Sequence, residues 1–267
     1  MPNHVDTLLT VTGDKKQLKE FKEKHFRIEM DNGNEVEVFD FDTIIPMPKS
    51  LDITSGSGTT DAIALIKAEK GDFTEVDRMT DYPWVDEKLK DKPNTNRREF
   101  IIAHLKETLD ENTMKEGQMA LDNIEKYGYS TWYDWKCRYW GTKWGAYNVH
   151  MGVIQGDIME ISYNTAWSPA TPIFHMLNKM YPELVFSQTV MDEGMGFGGT
   201  QMWDKNGYTE NLFNDDKLYS FSNEHYGTNY IECKCGQWFD TEWTNDGDDE
   251  TLCEECNYDL KEKAKDA

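Results

Sequence analysis

Positive charge is scarce in this sequence. Only 28 Lys and Arg stand against 50 Asp and Glu, a formal charge of −22, which disfavours general attraction to nucleic-acid phosphates or anionic lipid and steers the chain toward basic surfaces. Long apolar runs are missing too. No stretch of 18 apolar residues occurs, so no membrane-spanning helix is expected, and the opening MPNHVDTLLTV lacks the basic segment and long apolar core of a secretory leader. A cytosolic protein is expected. His4 and His25 have no partner nearby in sequence, and His104 has neither a Glu-x-x-His nor a His-x-x-x-His neighbour, so packed or solvated imidazoles are expected rather than metal ligands.

Phosphate-cradling loops are absent in their usual form. Residues 55–60 read SGSGTT, but no Gly-Lys-Ser/Thr follows, and GMGFGG at 194–199 does not keep the G-x-G-x-x-G order at a strand-to-helix junction. The first is read as a flexible lead-in to a helix. Asp192 and Glu193 beside the second form an acid pair suited to Mg²⁺ or acid-base work if both carboxylates converge, and turn geometry accounts for them otherwise.

Aromatic residues are abundant, at 13% with nine Trp, and 267 residues are enough to bury a large core, so a disordered chain is excluded. Val5, Thr7, Leu9 and Val11 share one face of a strand, with His4 and Leu8 on the other; Asp14 then opens a helix carrying Leu18, Phe21 and His25 on one side. DNGN at 31–34 predicts a turn between short strands. From 61 to about 128 the pattern is mostly helical, with Ile101, Ile102, Leu105 and Leu109 as one buried stripe.

Thr131 caps a short helix in which Trp132, Trp135 and Tyr139 share a face, and a buried structural thiol is expected at Cys137. A hairpin about Gly156-Asp157 follows. Ser168 is then expected to cap a helix with Pro169 first and Ile173, Met176, Leu177 and Met180 inward; LVFSQTVM returns as a strand, and Asn206-Gly207 turns a further hairpin. These elements predict an α+β protein: a ferredoxin-like βαββαβ sheet over 1–225, interrupted by a helical insertion at about 45–147, with an extra hairpin and a tail at 226–267.

The tail holds four of the five cysteines. Cys253-x-x-Cys256 is half of a zinc-ribbon pattern, and Cys233-x-Cys235 lies 17 residues upstream, one residue shorter than the usual knuckle. Structural zinc on Cys233, Cys235, Cys253 and Cys256 is expected, with His225 as a substitute ligand if the short knuckle fails to close. Between the pairs stand Asp240, Glu242, Asp246, Asp248, Asp249 and Glu250, with no Lys or Arg. Such a loop suits a protein-binding or purely structural ribbon better than a nucleic-acid reader.

The segments MPNHV…LTVTG, FDFDTIIPMP, GYSTWYDW, WGTKWGAY, TAWSP and MDEGMGFGG, in this order over residues 1 to about 205, resemble the YubB ferredoxin-like family of phage and plasmid genomes. The resemblance implies a ferredoxin-like domain and a mobile-element origin, and it brings no catalytic residue with it. The tail after about residue 225 is not part of the shared pattern.

The expected function is a non-enzymatic accessory protein that binds a host protein in the host cytoplasm, with inhibition of a defence system as the concrete case. Partner contacts are expected at Trp135, Trp144, Trp167, Asp192, Glu193, Asp246, Asp248 and Asp249. Two alternatives stand beside it. One is a nucleic-acid module that uses the Trp-rich segment, its Lys136, Arg138 and Lys143, and the ribbon; the other is a metal-dependent enzyme centred on Asp192 and Glu193.

Overall fold

A computed structural model describes residues 3–92, 94–245 and 248–265. The chain divides into two compact units, Met1–Ile45 with Trp140–Ala267, and Pro46–Tyr139.

The first unit opens with β1 (His4–Thr12), in which Val5, Thr7, Leu9 and Val11 are buried while Leu8 is 39% exposed. Period-two alternation therefore sets the inner face. Asp14 accepts a hydrogen bond from the Lys16 amide (2.9 Å) and starts α1 (Lys15–His25), whose Leu18, Phe21 and His25 are buried as their spacing predicts. The chain continues through β2 (Phe26–Asp31) and β3 (Asn34–Phe39). Asn32 and Gly33 between them both have positive φ, 50° and 85°, the conformation a two-residue hairpin turn requires.

The second unit is helical: α2 (Ser57–Glu69), α3 (Thr74–Met79), α4 (Pro83–Leu89), α5 (Arg97–Thr108), α6 (Glu111–Tyr127) and α7 (Trp132–Tyr139). Leu65, Val76, Val85, Ile101 and Leu105 form its core. Helices α2 and α6 approach closely at Gly117, where a Cβ would lie 2.5 Å from that of Ala62. His104 is the packed imidazole expected, its ring 5.0 Å from Trp84 and 6.2 Å from Phe100. Cys137, expected buried, is only partly so. This unit ends at Tyr139 rather than near 147, and Trp140–Ala267 belongs with the sheet.

Back in the first unit come β4 (Tyr147–Met151), β5 (Ile158–Ala166), α8 (Thr171–Met180), β6 (Val185–Asp192), β7 (Gly198–Asp204), β8 (Gly207–Phe213) and α9 (Lys217–Tyr226). Among the described residues, eight strands form one sheet in the order β2-β3-β4-β5-β1-β6-β7-β8. Strand β1 lies between β5 and β6, antiparallel to both, with Thr7 opposite Tyr163 and Val190. Taken with α1 and α8, the set β4-β5-β1-β6 has the split βαββαβ arrangement. The β2–β3 hairpin widens it on one side, where β3 meets β4 at the register pair Glu37↔Val149, and β7–β8 widens it on the other.

Phe21 sits at the centre of the core, with its ring 5.5–5.8 Å from those of Phe26, Tyr181 and Phe186. Burying a side chain of that size contributes about 2–3 kcal/mol. Trp203 is fully buried and stacks on Phe174 at 5.1 Å. Helix α8 begins at Thr171 with Pro172 in its first turn, not with a Ser168 cap and Pro169. The reason is local: Ser168 Oγ is engaged with the Gly141 carbonyl (2.5 Å), and Trp167 takes a left-handed φ of 72°, so residues 167–170 form a separate corner. No helix among the described residues is long and apolar enough to cross a membrane.

Candidate metal centre

Beyond α9, β9 (Tyr230–Glu232) and β10 (Trp238–Asp240) pair antiparallel, with Trp238 opposite Glu232. The tip of this hairpin carries Cys233 and Cys235. The Cys233 amide donates to the Gln237 carbonyl and the Gly236 amide to the Cys233 carbonyl, both at 2.8 Å. Gly236 adopts φ 88°, a left-handed conformation that suits glycine and lets the short Cys-x-Cys turn close.

The other pair is set by α10 (Glu254–Lys265), which starts just after Cys253 and holds Cys256 in its first turn. Asn257 fixes the approach to this helix. Its side chain is buried; its Nδ2 donates to the carbonyls of Asp249 (3.0 Å) and Leu252 (2.8 Å), and its Oδ1 accepts from the Asp249 amide (2.9 Å). Sequence reasoning missed Asn257, although an Asn directly after the last cysteine of a Cys-x-x-Cys pair was a visible signal.

All four sulfur atoms lie within 4.8 Å of one another. The sulfurs of Cys235 and Cys253 stand 3.6 Å apart, and the Cys253 amide donates to Cys233 Sγ at 3.3 Å. Cys233 and Cys253 are buried with Leu252, and Phe239 and Cys256 pack against them. Backbone N–H groups of Cys235 and Cys253 aimed at Cys233 lower its thiol to about 6, whereas hydrogen bonding to Cys233 and Cys235, then burial, pushes Cys256 up to about 12. Anionic sulfur is thus favoured at one position and crowded at another. An all-sulfur donor set suits a soft metal ion, and a cation held there would relieve that crowding. His225 is in α9 with its ring 4.4 Å from Phe221, and the four-sulfur group is complete without it.

The acidic residues around the cysteines are partly used by the tail itself. Asp248 is ion-paired with Lys261 and its side chain is only 5% exposed. Asp249 accepts from the Thr251 amide (2.9 Å) and hydroxyl (2.6 Å), which holds its carboxyl below the ordinary value. Asp246 lies outside the described residues.

Asp192 and Glu193 do not converge as an acid pair. Asp192 is 5% exposed and its Oδ2 accepts from the Gly196 amide (3.0 Å), while Glu193 is exposed and accepts from the His4 amide (2.8 Å). A Cβ at Gly196 would fall 2.9 Å from Asp192 Oδ2, so the glycine makes room for the carboxylate. Turn geometry explains this run, and its end is not a free surface: Gly198 and Gly199 are buried in β7.

The tryptophans divide similarly. Trp135 is 6% exposed and packs on Tyr139 at 4.7 Å, so it is a core ring rather than a displayed one. Trp144 is half-buried and Trp167 is 42% exposed; Lys143 Nζ stands 4.7 Å from the first ring and 4.8 Å from the second. Thr142 Oγ1, bonded to the Ala166 carbonyl (2.9 Å) and amide (3.1 Å), ties this segment to the corner that presents Trp167.

The fold and the sulfur cluster define an α+β protein with a ferredoxin-like domain and a tail able to hold a metal ion. Residues 146–229 match the family described as "Ferredoxin-like domain in Api92-like protein". Among solved structures, the chain is similar to protein Api92 from Yersinia pseudotuberculosis, with 10% identity, 79% of this chain and 98% of that chain covered, and a TM-score of 0.38. No curated protein matches the chain.

Proposed function

We propose that this chain is a non-enzymatic accessory protein of a phage or plasmid that binds a host protein in the host cytoplasm and thereby inhibits a defence system. The observation that carries the reading is the formal charge of −22, which complements the basic groove of a nucleic-acid-binding protein. Occupying that groove is DNA mimicry; covering its approach is steric block. The resemblance of residues 1 to about 205 to the YubB family supports the mobile-element origin. The separate structural uses of Asp192 and Glu193 favour binding over catalysis.

The metal is zinc, held by Cys233, Cys235, Cys253 and Cys256. Zn–S bonds of about 2.3 Å in a tetrahedron place sulfurs about 3.8 Å apart, and the 3.6 Å between Cys235 and Cys253 fits that edge. When bound, the ion cross-links the hairpin to α10, and its role is structural.

The test is genetic. A phage carrying the gene should plate on defended hosts, and one lacking it should plate poorly there; equal plating of both sinks the reading. A second reading, single-strand binding, is favoured by the exposed Trp167 beside Lys143. It requires a low-salt mobility shift that Trp144→Ala removes, and the absence of any shift ends it.

A further inference from the structure

The eight-stranded sheet ends at β2 on one side and β8 on the other, and among the described residues no strand pairs with the outer side of either. On β2 the outward backbone groups can be assigned. The Asp40 amide donates to the His25 carbonyl (2.8 Å), and this pair continues the β2–β3 register, so Arg27, Glu29 and Asp31 turn their backbone groups toward β3. Phe26, Ile28 and Met30 turn theirs outward. The Phe26 amide is taken by the Lys22 carbonyl of α1, which leaves the Ile28 and Met30 amides to face the edge.

The side chains of β2 alternate as well. Ile28 and Met30 share the face of the buried Phe26 and are 60% and 67% exposed. Arg27 and Glu29 are half-exposed on the opposite face, where Arg27 donates through Nε to Glu29 (2.5 Å) and through Nη1 to Asp40. An open edge with apolar side chains of this size is a template for a further strand.

Two identical β2 strands can pair antiparallel about a two-fold axis only where outward groups meet outward groups, which leaves few registers. Centred on Arg27, the pairing sets Arg against Arg; centred on Glu29, it sets Glu against Glu; centred on Met30, it sets Glu29 against Asp31. Centred on Ile28, it opposes no like charges. Ile28 then faces Ile28, Met30 faces Phe26, and Arg27 faces Glu29 on both sides of the axis. The two Ile28 residues exchange backbone hydrogen bonds, and each Met30 amide reaches the opposite Phe26 carbonyl. The other edge offers no counterpart, because Gly207–Phe213 holds Glu210 and no Lys or Arg.

We infer that β2 is the docking edge for the β2 strand of a second copy of this chain, paired antiparallel about Ile28 so that the two sheets run on into one. The inference does not depend on the host-protein reading above. Charge complementarity selects both the occupant and the register: opposite charges directly across an antiparallel pair stabilise it, and like charges destabilise it. Pairing over Phe26–Met30 buries less than about 1,200 Å², the range of weak, reversible contacts. The charge of −22 on each copy opposes approach as well. A dimer that dissociates in the micromolar range is therefore expected.

The test is sedimentation velocity of the full-length protein from about 1 to about 200 μM at physiological salt, across which the wild type should pass from monomer to dimer. Arg27→Glu sets Glu against Glu29, and Glu29→Arg sets Arg against Arg27, so each variant alone should weaken the dimer at least about tenfold. Mixed in equal amounts, the two variants restore both opposite-charge pairs and should form a heterodimer within about threefold of the wild-type affinity. Loss of fold cannot produce that recovery. Ile28→Pro removes an outward amide at an edge position that accepts proline, and should abolish the dimer while circular dichroism stays unchanged. A wild type that is monomeric throughout, a dimer untouched by either charge variant, or a mixture that fails to recover it overturns the inference.

Discussion

The amide of Cys253 donates to the sulfur of Cys233 at 3.3 Å, joining two cysteine pairs that sequence alone leaves separate. The bond places the α10 side of the cluster against the hairpin side, where Leu252 and Phe239 pack with the buried Cys233 and Cys253 in a small apolar cluster. So small a core cannot hold a tail of this length alone.

Metal removal should therefore melt the tail selectively. Metal analysis of the purified protein should find about one zinc per chain, and a chelator should abolish amide protection over 230–265 while protection in β1, β5 and β6 persists. Cys256→Ser should lower the zinc content in the same way. A chelated protein with an equally protected tail would show that the thiols pack without an ion.

Asp192 and Glu193 should behave as two different residues. Asp192→Ala removes a buried acceptor from the Gly196 amide and should cost about 1–3 kcal/mol. Glu193→Ala removes an exposed acceptor from the His4 amide and should cost less than about 1 kcal/mol. Urea denaturation of both variants checks this, and equal effects would contradict the assignment.

Acid should destabilise the first unit through His25. Its Nδ1 lies 2.6 Å from Thr43 Oγ1 and its Nε2 3.0 Å from the Tyr181 hydroxyl; Thr43 donates onward to the Asp40 carbonyl (2.6 Å), so a neutral ring with the proton on Nδ1 satisfies every partner. Burial first, then Lys24, lowers its pKa from 6.5 to about 4, with Asp40 opposing. The unfolded chain accordingly takes up a proton below 6.5 that the folded chain takes up only near 4. Stability should fall as pH drops through that window and the contribution should level off below it, a loss on the order of 2 kcal/mol. Urea midpoints at both ends of the window, compared with His25→Gln, measure it; an unchanged difference between the two proteins would remove His25 as the cause.

Gly199 should tolerate no side chain. It sits in β7 at φ 141°, and a Cβ there would lie 2.1 Å from the Asn211 carbonyl oxygen. Gly199→Ala should cost about 2–4 kcal/mol. Gly207→Ala, at φ 118° with nothing within 4 Å, should cost only about 1 kcal/mol. Thermal melts rank the two, and the reverse order would contradict the close β7–β8 approach.

Local pattern made much of this legible. The alternation in β1, the Asp14 cap, the Asn206-Gly207 hairpin and the four cysteines all lie within a few residues of the signals that announce them. What escaped is non-local. Nothing in DNGN says that its hairpin will join the main sheet beside β4, because that join is the register pair Glu37↔Val149. Trp135 and Trp167 are equally aromatic in sequence, and only tertiary packing buries the first and exposes the second. Pro169 and Pro172 both suit a helix start; the bond from Ser168 to the Gly141 carbonyl decides between them.

The central claim is tested most directly by capture from host lysate on the immobilised full-length protein at physiological salt, with duplex DNA as competitor. The account predicts retention of a basic nucleic-acid-binding protein that added duplex DNA and raised salt both release. Recovery of no protein under these conditions, or of one that neither DNA nor salt displaces, would contradict it.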